Sequence, residues 1–181
     1  MWATPGRLAT MARPQAGDWL GDEIAGWKQA GLDGVVSLLE RDEEGELGLG
    51  QEAALCGSQG IEFISFPIKD YSLPTSPGEA ERLVRETIAT LRAGRKIAIH
   101  CRAGIGRSSV IAACTLIGLG LQPEDALARI GRARGLRVPD TEAQRRWVLE
   151  FRMSPHDRRM RLPLVAGQAR GSAVCAWASF I

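Results

Sequence analysis

Short runs rich in β-branched residues alternate with longer stretches of helical periodicity, and this alternation constrains the fold more than any other feature of the sequence. Residues 35–39, 61–66 and 96–100 are the three runs that predict strands. Residues 7–12 are the candidate for an added edge strand. Strands that alternate with helices assemble into a mostly parallel sheet with helices on both faces. The sequence therefore predicts an α/β fold with a central, mostly parallel sheet.

The helical segments carry recognisable start and stop signals. Ser76 is a good N-cap, Pro77 suits the first helical position, and Glu79 completes a capping box. Apolar residues then follow helical spacing as far as Gly94, where we expect this helix to end. The other predicted helices run from Asp18 to Gly31, around residues 49–60, and over residues 107–119, 123–134 and 140–153.

The length of 181 residues allows one domain with a substantial core. We expect that domain to cover residues 1–154, because the regular pattern breaks after Pro155. Residues 155–181 are expected to form a poorly ordered or loosely docked C-terminal tail, with a membrane or partner contact as the alternative. The net charge of +2 gives no argument for nucleic-acid binding, and the sequence leaves the oligomeric state open.

The four cysteines match no zinc-binding or Cys-x-x-Cys spacing and are sparse for a disulfide framework. We therefore expect no metal and no cofactor, and a reducing, cytoplasmic location. We also expect no signal peptide and no membrane span, since no stretch approaches the roughly 18 apolar residues that a span requires.

The segment of residues 97–109 carries the chemistry. An apolar strand delivers Cys101 to a loop that contains Gly104 and Gly106, and a helix follows from Arg107. Ligands of open α/β sheets bind at the carboxyl ends of strands. The glycines allow backbone N–H groups to turn inward as an anion-binding nest, and the helix start adds a positive dipole end. Arg107 can return for bidentate contact with phosphate oxygens. The predicted phosphate-binding residues are Arg102, Ala103, Gly104, Ile105, Gly106 and Arg107.

The same positive field favours the thiolate form of Cys101, which makes this residue the candidate nucleophile. Each element alone has a plainer explanation: an inert buried cysteine, a tightly packed turn, or an arginine paired with a core carboxylate. The combination of strand, His-Cys-x5-Arg-Ser and helix is far more specific than its parts.

His100, Cys101, Arg107 and Ser108 resemble the His-Cys-x5-Arg-Ser/Thr signature of the cysteine-dependent protein tyrosine phosphatase superfamily. The short chain is most similar to the compact dual-specificity branch, in particular the cyclin-dependent kinase inhibitor 3-like group and its bacterial relatives. The resemblance extends over about residues 8–151. It implies that Cys101 forms a phosphocysteine, that Arg107 and the loop amides stabilise the phosphoryl oxygens, and that Ser108 helps the sulfur to leave. His100 would orient the loop.

The resemblance also implies a general acid on a mobile loop before the nucleophile. Asp70, within residues 66–74, is the candidate, although Ile68-Lys69-Asp70 replaces the familiar Trp-Pro-Asp and a plain turn residue is the alternative. Asp42 is a second candidate acid, but it lies in an acidic, solvated-looking run. Gln144 either positions the hydrolytic water or completes a capping box with Thr141.

The resemblance favours hydrolysis of phosphotyrosine, and also of phosphoserine or phosphothreonine, in proteins. A second possibility is a phosphatase for small phosphomonoesters such as inositol phosphates or phosphoinositides. The apolar Ala103 and Ile105 argue against it, since those relatives often carry lysines in the loop. A rhodanese-type sulfurtransferase and a non-catalytic, phosphate-binding pseudophosphatase are the remaining alternatives.

Overall fold

The computed structural model describes residues 7–154 and 178–180, and its centre is one twisted sheet. The described strands are β1 (Leu8–Met11), β2 (Gly34–Ser37), β3 (Glu62–Ser65), β4 (Ile97–His100) and β5 (Ala178–Phe180). Their order is β3-β2-β4-β1-β5. The first four strands are parallel to their neighbours, and β5 runs antiparallel to β1.

Helices fill most of the connections between the strands. They are α1 (Trp19–Gln29), α2 (Arg41–Glu46), α3 (Glu52–Ser58), α4 (Pro77–Arg92), α5 (Arg107–Gly118), α6 (Pro123–Arg134) and α7 (Glu142–Glu150). The sequence predicts all of these except α2, whose six residues are largely charged and carry no apolar stripe.

Alternate residues of each strand face opposite layers of the core, as the pleat of a strand requires. Val35 and Ala98 pack in a cluster with α1 and α3. Val36 and Ile99 pack in a second cluster with the helices α4 to α7. Helices thus cover both faces of a mostly parallel sheet, which confirms the predicted fold class.

Helix α5 is the central helix of the larger layer, and residues 107–116 are all buried. It follows β4 after a loop of six residues and therefore begins at the carboxyl edge of the sheet, between the ends of β1 and β2. This topology places the loop at a point where ligand sites form in open α/β sheets.

The two ends of the chain differ in part from the sequence-based expectation. The segment of residues 7–12 does form a strand, but β1 lies inside the sheet because β5 pairs with its other side. The rest of the expected tail, residues 155–177 and 181, lies outside the described residues, so its loose docking stays a prediction. Within the described chain, no helix has both the length and the apolar character needed to cross a bilayer.

Candidate active site

The loop from Cys101 to Arg107 is fixed against its surroundings by close backbone contacts. Gly104 has a φ of 73°, and a Cβ atom there would overlap the carbonyl group of Met11 at the end of β1. The N–H of Arg13 donates to the carbonyl of Arg102 at 3.3 Å. From the other side, the guanidinium of Arg134 donates to the carbonyl of Ala103 at 3.2 Å. The loop is therefore seated between β1 and the end of α6.

The inner lining of the loop offers hydrogen-bond donors. The backbone N–H groups of residues 102–106 donate to no acceptor within the described part of the chain. The first turn of α5 adds N–H groups that lack intrahelical partners, together with the positive end of the helix dipole. Successive N–H groups of this kind form a cradle for an oxyanion.

Cys101 lies at the start of this cradle and is 3 % exposed. Its Sγ is 3.5 Å from Oγ of Ser108, the second residue of α5. A serine hydroxyl at this distance donates to a thiolate and also to a sulfur that acquires negative charge during a reaction.

Arg107 closes the cradle, and its guanidinium is 1 % exposed. Nη1 donates to the carbonyl of Ile68 at 2.8 Å, and the two Nη atoms reach the two carboxylate oxygens of Glu43 at 2.6 and 3.0 Å. Nη2 also lies 3.0 Å from Oδ1 of Asp70. Among the described residues Nε has no acceptor, so it is the donor left for a ligand.

The charges at this arginine stabilise one another. Burial by itself would lower the pKa of Arg107, but the hydrogen bonds that it donates to Glu43 and the negative charges of Cys101, Glu43 and Asp70 raise this pKa instead. Burial would likewise raise the pKa of Glu43, and its hydrogen bonds to Arg107 and to the backbone of Glu40 outweigh that effect and lower it. Arg107 is therefore a permanent buried cation with a matched anion.

Asp70, the candidate acid, contacts Arg107. Besides its ion pair with Arg107, its Oδ1 accepts from the N–H of Tyr71 at 3.0 Å, and its side chain is 41 % exposed. The loop that carries it is fixed at its base, because the N–H of Ile68 donates to the carbonyl of Leu38 at 3.1 Å. The structure thus brings Asp70, Cys101 and Arg107 to one edge of the sheet.

Gln144 forms the capping box that is one of the two readings of this residue from the sequence. Its backbone and side chain form the capping box with Thr141. Its Nε2 also donates to the carbonyl of Ser72 at 3.1 Å, which ties α7 to the loop of Asp70. A Cβ atom at Gly106 would lie 3.1 Å from its Oε1, so the amide borders the cradle. Its role toward water stays a prediction.

Comparison with known proteins decides the family. A family model described as a polymorphic toxin system DSP-PTPase phosphatase matches residues 9–121. The chain is a member of the cysteine-based dual-specificity phosphatase superfamily. Cyclin-dependent kinase inhibitor 3 of Rattus norvegicus is 30 % identical over 127 residues, which cover 69 % of this chain and 59 % of the relative. The chain thus spans about three fifths of the length of the curated relatives of this name.

Solved structures of phosphatases share the fold of this superfamily member. Kinase associated phosphatase, with its catalytic-site cysteine substituted by serine, superposes with a TM-score of 0.70 at 24 % identity, covering 78 % of this chain and 83 % of that one. Tk-PTP in its active form gives a TM-score of 0.64 at 28 % identity, covering 82 % and 95 %.

Two residues of this candidate site are missed by sequence reasoning. Glu43 belongs to the acidic run that suggests a solvated surface, yet it binds Arg107, whereas the candidate Asp42 is exposed. The available signal is its place just after the carboxyl end of β2, which neighbours β4 in the sheet. Asp140 is the second residue: a Cβ at Gly106 would collide with its carboxylate. Burial and the charge of Asp70 raise the pKa of Asp140, while Arg107 opposes that shift.

Proposed function

We propose that this phosphatase hydrolyses phosphotyrosine, and also phosphoserine and phosphothreonine, in proteins through a phosphocysteine on Cys101. One observation carries the proposal: Cys101 and Arg107 close a single cradle whose inner N–H groups have no other acceptor in the described chain. A substrate phosphate is therefore held by the loop amides and by Nε of Arg107.

In the first step, the thiolate of Cys101 attacks phosphorus, and an S–P bond forms as the P–O bond to the leaving group breaks. The leaving oxygen takes the electron pair of that bond and the proton of the Asp70 carboxyl group. Asp70 lies on Arg107 in the substrate-free protein. The incoming phosphate replaces this contact and leaves the Asp70 carboxyl group available to the leaving oxygen.

In the second step, water attacks the phosphorus of the phosphocysteine, and Asp70 accepts the proton of that water. The S–P bond breaks and its electron pair returns to the sulfur of Cys101, which Ser108 stabilises by donating a hydrogen bond. Gln144, which borders the cradle beside Gly106, orients the attacking water. Inorganic phosphate then leaves.

The rim of the site supports a protein substrate. Ala103 is exposed at the mouth and Ile105 is half-buried, so the loop itself offers no lysine to a second phosphate group. The free, buried thiols of Cys56, Cys101 and Cys114 are in keeping with a reducing, cytoplasmic compartment.

Turnover of p-nitrophenyl phosphate by four proteins tests the mechanism. Cys101→Ser should abolish turnover because a hydroxyl is a poor nucleophile here. Asp70→Ala should lower kcat by about 10²- to 10⁴-fold with little change in KM, as expected for a lost general acid. Asp42→Ala, which removes the exposed carboxylate of the same charge, should behave as wild type. Turnover by Cys101→Ser would contradict the proposal. Thiosulfate:cyanide transfer by the wild type would instead indicate a rhodanese-type sulfurtransferase.

The substrate class needs a separate comparison. The wild-type kcat/KM should be higher for phosphotyrosine and phosphothreonine peptides than for inositol phosphates or phosphoinositide vesicles. The opposite order would assign the chain to small phosphomonoesters. An inert wild type that still binds inorganic phosphate would make it a phosphate-binding module.

A further inference from the structure

The two sides of the cradle differ in charge. Five of the seven residues 40–46, in and just before α2, are acidic and one is basic; we call this segment the acidic flank. Residues 132–146, from the end of α6 into α7, contain five arginines and two carboxylates; we call this segment the basic flank. Both flanks contact the cradle, because the first binds Arg107 and the second donates to the carbonyl of Ala103 through Arg134.

The acidic and basic flanks lie on opposite sides of the cradle, because two other segments separate them. One is the loop of residues 68–72, whose first and last carbonyls accept from Arg107 at 2.8 Å and from Gln144 at 3.1 Å. The other is the segment after β1, where the N–H of Arg13 donates to the cradle loop at 3.3 Å. A peptide that enters between these two segments therefore extends toward the acidic flank at one end and toward the basic flank at the other.

The basic flank holds a groove of about 350 Å³ beside the cradle. Arg137 and Arg145 line this groove together with Asp140, whose carboxylate borders Gly106 of the cradle. Arg137 and Glu142 are 4.0 Å apart with side chains 81 % and 68 % exposed, so this ion pair contributes little. Arg145 makes no ion pair within the described part of the chain. Both guanidinium groups are therefore free to bind an acidic side chain of a substrate.

The acidic flank presents carboxylates that have no such partner. Glu43 is bound to Arg107, which fixes α2 beside the cradle. Glu46 lies one turn further along α2, on the same side of the helix, and is exposed. Among the described residues, neither Glu46 nor the exposed Asp42 makes an ion pair. These carboxylates attract lysine and arginine side chains, and they repel a uniformly anionic surface such as a phosphoinositide membrane.

We propose that the two flanks select substrate peptides of mixed charge: basic residues on one side of the phosphorylated residue bind the acidic flank, and acidic residues on its other side bind the groove of the basic flank. The inference rests on the proposed function and narrows its substrate class. The phosphate itself binds between the flanks, where the buried Nε of Arg107 has no acceptor within the described chain. A peptide of reversed charge order meets like charges at both flanks, so charge also fixes the direction of binding.

Four phosphotyrosine peptides test the proposal. Two are mixed, with lysines before and glutamates after the phosphotyrosine or the reverse, and two carry only lysines or only glutamates. Each kcat/KM is divided by that for p-nitrophenyl phosphate, which has no flanking residues. One mixed peptide should exceed the other by about 10-fold, because exposed charge pairs contribute modestly at each flank, and the uniform peptides should fall between them. Equal values for the mixed peptides, or a uniform peptide above both, would overturn the proposal.

Charge-reversal variants test each flank separately. Arg145→Glu should lower kcat/KM for the favoured mixed peptide by about 3- to 10-fold and raise it for the all-lysine peptide. Glu46→Lys should lower the same value and raise it for the all-glutamate peptide. Arg137→Glu, at an exposed position, replaces Arg145→Glu if that variant does not fold. The matched control is Arg92→Glu, at the exposed end of α4, which should keep the wild-type order of peptides. An unchanged order in the folded flank variants would overturn the proposal.

The outcome is distinguishable from that of the proposed function. If the wild type hydrolyses all four peptides equally well, the phosphatase activity stands and the flanks select nothing. If it hydrolyses none, the proposed function fails, and binding of the same peptides to Cys101→Ser, measured by fluorescence anisotropy, still tests the selection by charge. The preference should shrink at high salt, because salt screens exposed charges. A preference that is independent of salt would contradict the role of the flanks.

Discussion

At the scale of the single residue, Arg107 organises the site before any substrate arrives. Glu43 holds one edge of its guanidinium by two hydrogen bonds, and a backbone carbonyl fixes Nη1. In the proposed mechanism, only the contact with Asp70 has to break when a phosphate binds. A donor that is oriented in advance avoids the reorganisation that a mobile arginine would require at the moment of reaction.

Glu43→Gln tests this preorganisation. The variant keeps one hydrogen bond to Arg107 but removes the counter-charge, so the guanidinium should turn away from the cradle. We expect kcat/KM for p-nitrophenyl phosphate to fall by about 10- to 100-fold, the effect of a small misplacement of a catalytic group. Asp42→Asn, on the exposed side of the same helix, is the control and should retain wild-type kinetics.

The same variant also predicts a pH dependence of stability. The pKa of Glu43 is lowered in the folded protein, so its contribution to the free energy of unfolding is complete above the usual carboxyl pKa and is lost as the pH falls through the lowered value. In urea titrations, the difference between wild type and Glu43→Gln should be largest above about pH 5 and shrink below it. A difference that grew on acidification would contradict the ion pair.

At the scale of the element, the position of the loop of residues 101–107 depends on β1 as much as on β4 and α5, which the loop connects. The main chain of Gly104 passes so close to the carbonyl of Met11 that no side chain fits between them. The glycine is therefore needed for close approach as well as for its positive φ.

Gly104→Ala should lower both stability and activity, and Gly120→Ala separates the two causes. Gly120 also has a positive φ, of 107°, but a Cβ atom there would meet nothing within 4 Å. Gly120→Ala should cost about 1–2 kcal/mol of stability from backbone strain alone, with activity unchanged. Gly104→Ala adds the overlap with Met11, so it should be less stable still and lose most of its turnover. Equal losses in thermal unfolding and kinetics would refute the close-approach argument.

Features that depend on neighbouring residues can be predicted from the sequence, whereas contacts between distant residues cannot. Periodicity and capping are local, so the helix from Ser76 and the strand before Cys101 are predictable from neighbouring residues alone. The spacing of Cys101 and Arg107 is also local. The contact of Glu43 with Arg107 joins residues 64 positions apart, and it exists only because β2 and β4 are neighbours in the sheet. The acidic run around Glu43 does not by itself indicate that β4 lies beside β2.

At the scale of the whole molecule, the last described residues are connected to the loop of residues 101–107 through strand β1. Strand β5 pairs with residues 9–11 of β1, and the end of β1 supports Gly104. Sequence reasoning assigns residues 178–180 to a tail because the regular sequence pattern breaks after Pro155, and three residues are too few to show a strand pattern. Pairing of this kind is set by the sheet edge that the strand meets.

Two truncated chains determine whether this pairing stabilises the domain. A chain that ends at residue 177 loses only β5 and exposes the edge of β1, so it should lose about 1 kcal/mol of stability and roughly 2–4 °C in Tm. A chain that ends at residue 154 should lose little more, if the intervening residues are the loosely docked tail that the sequence predicts. Both should keep kcat within a few-fold of the full chain, because β1 remains paired with β4 through four residues. If the chain ending at residue 177 is as stable as the full chain, β5 does not stabilise the domain. If that chain is folded but inactive, β5 is needed to position the loop of residues 101–107.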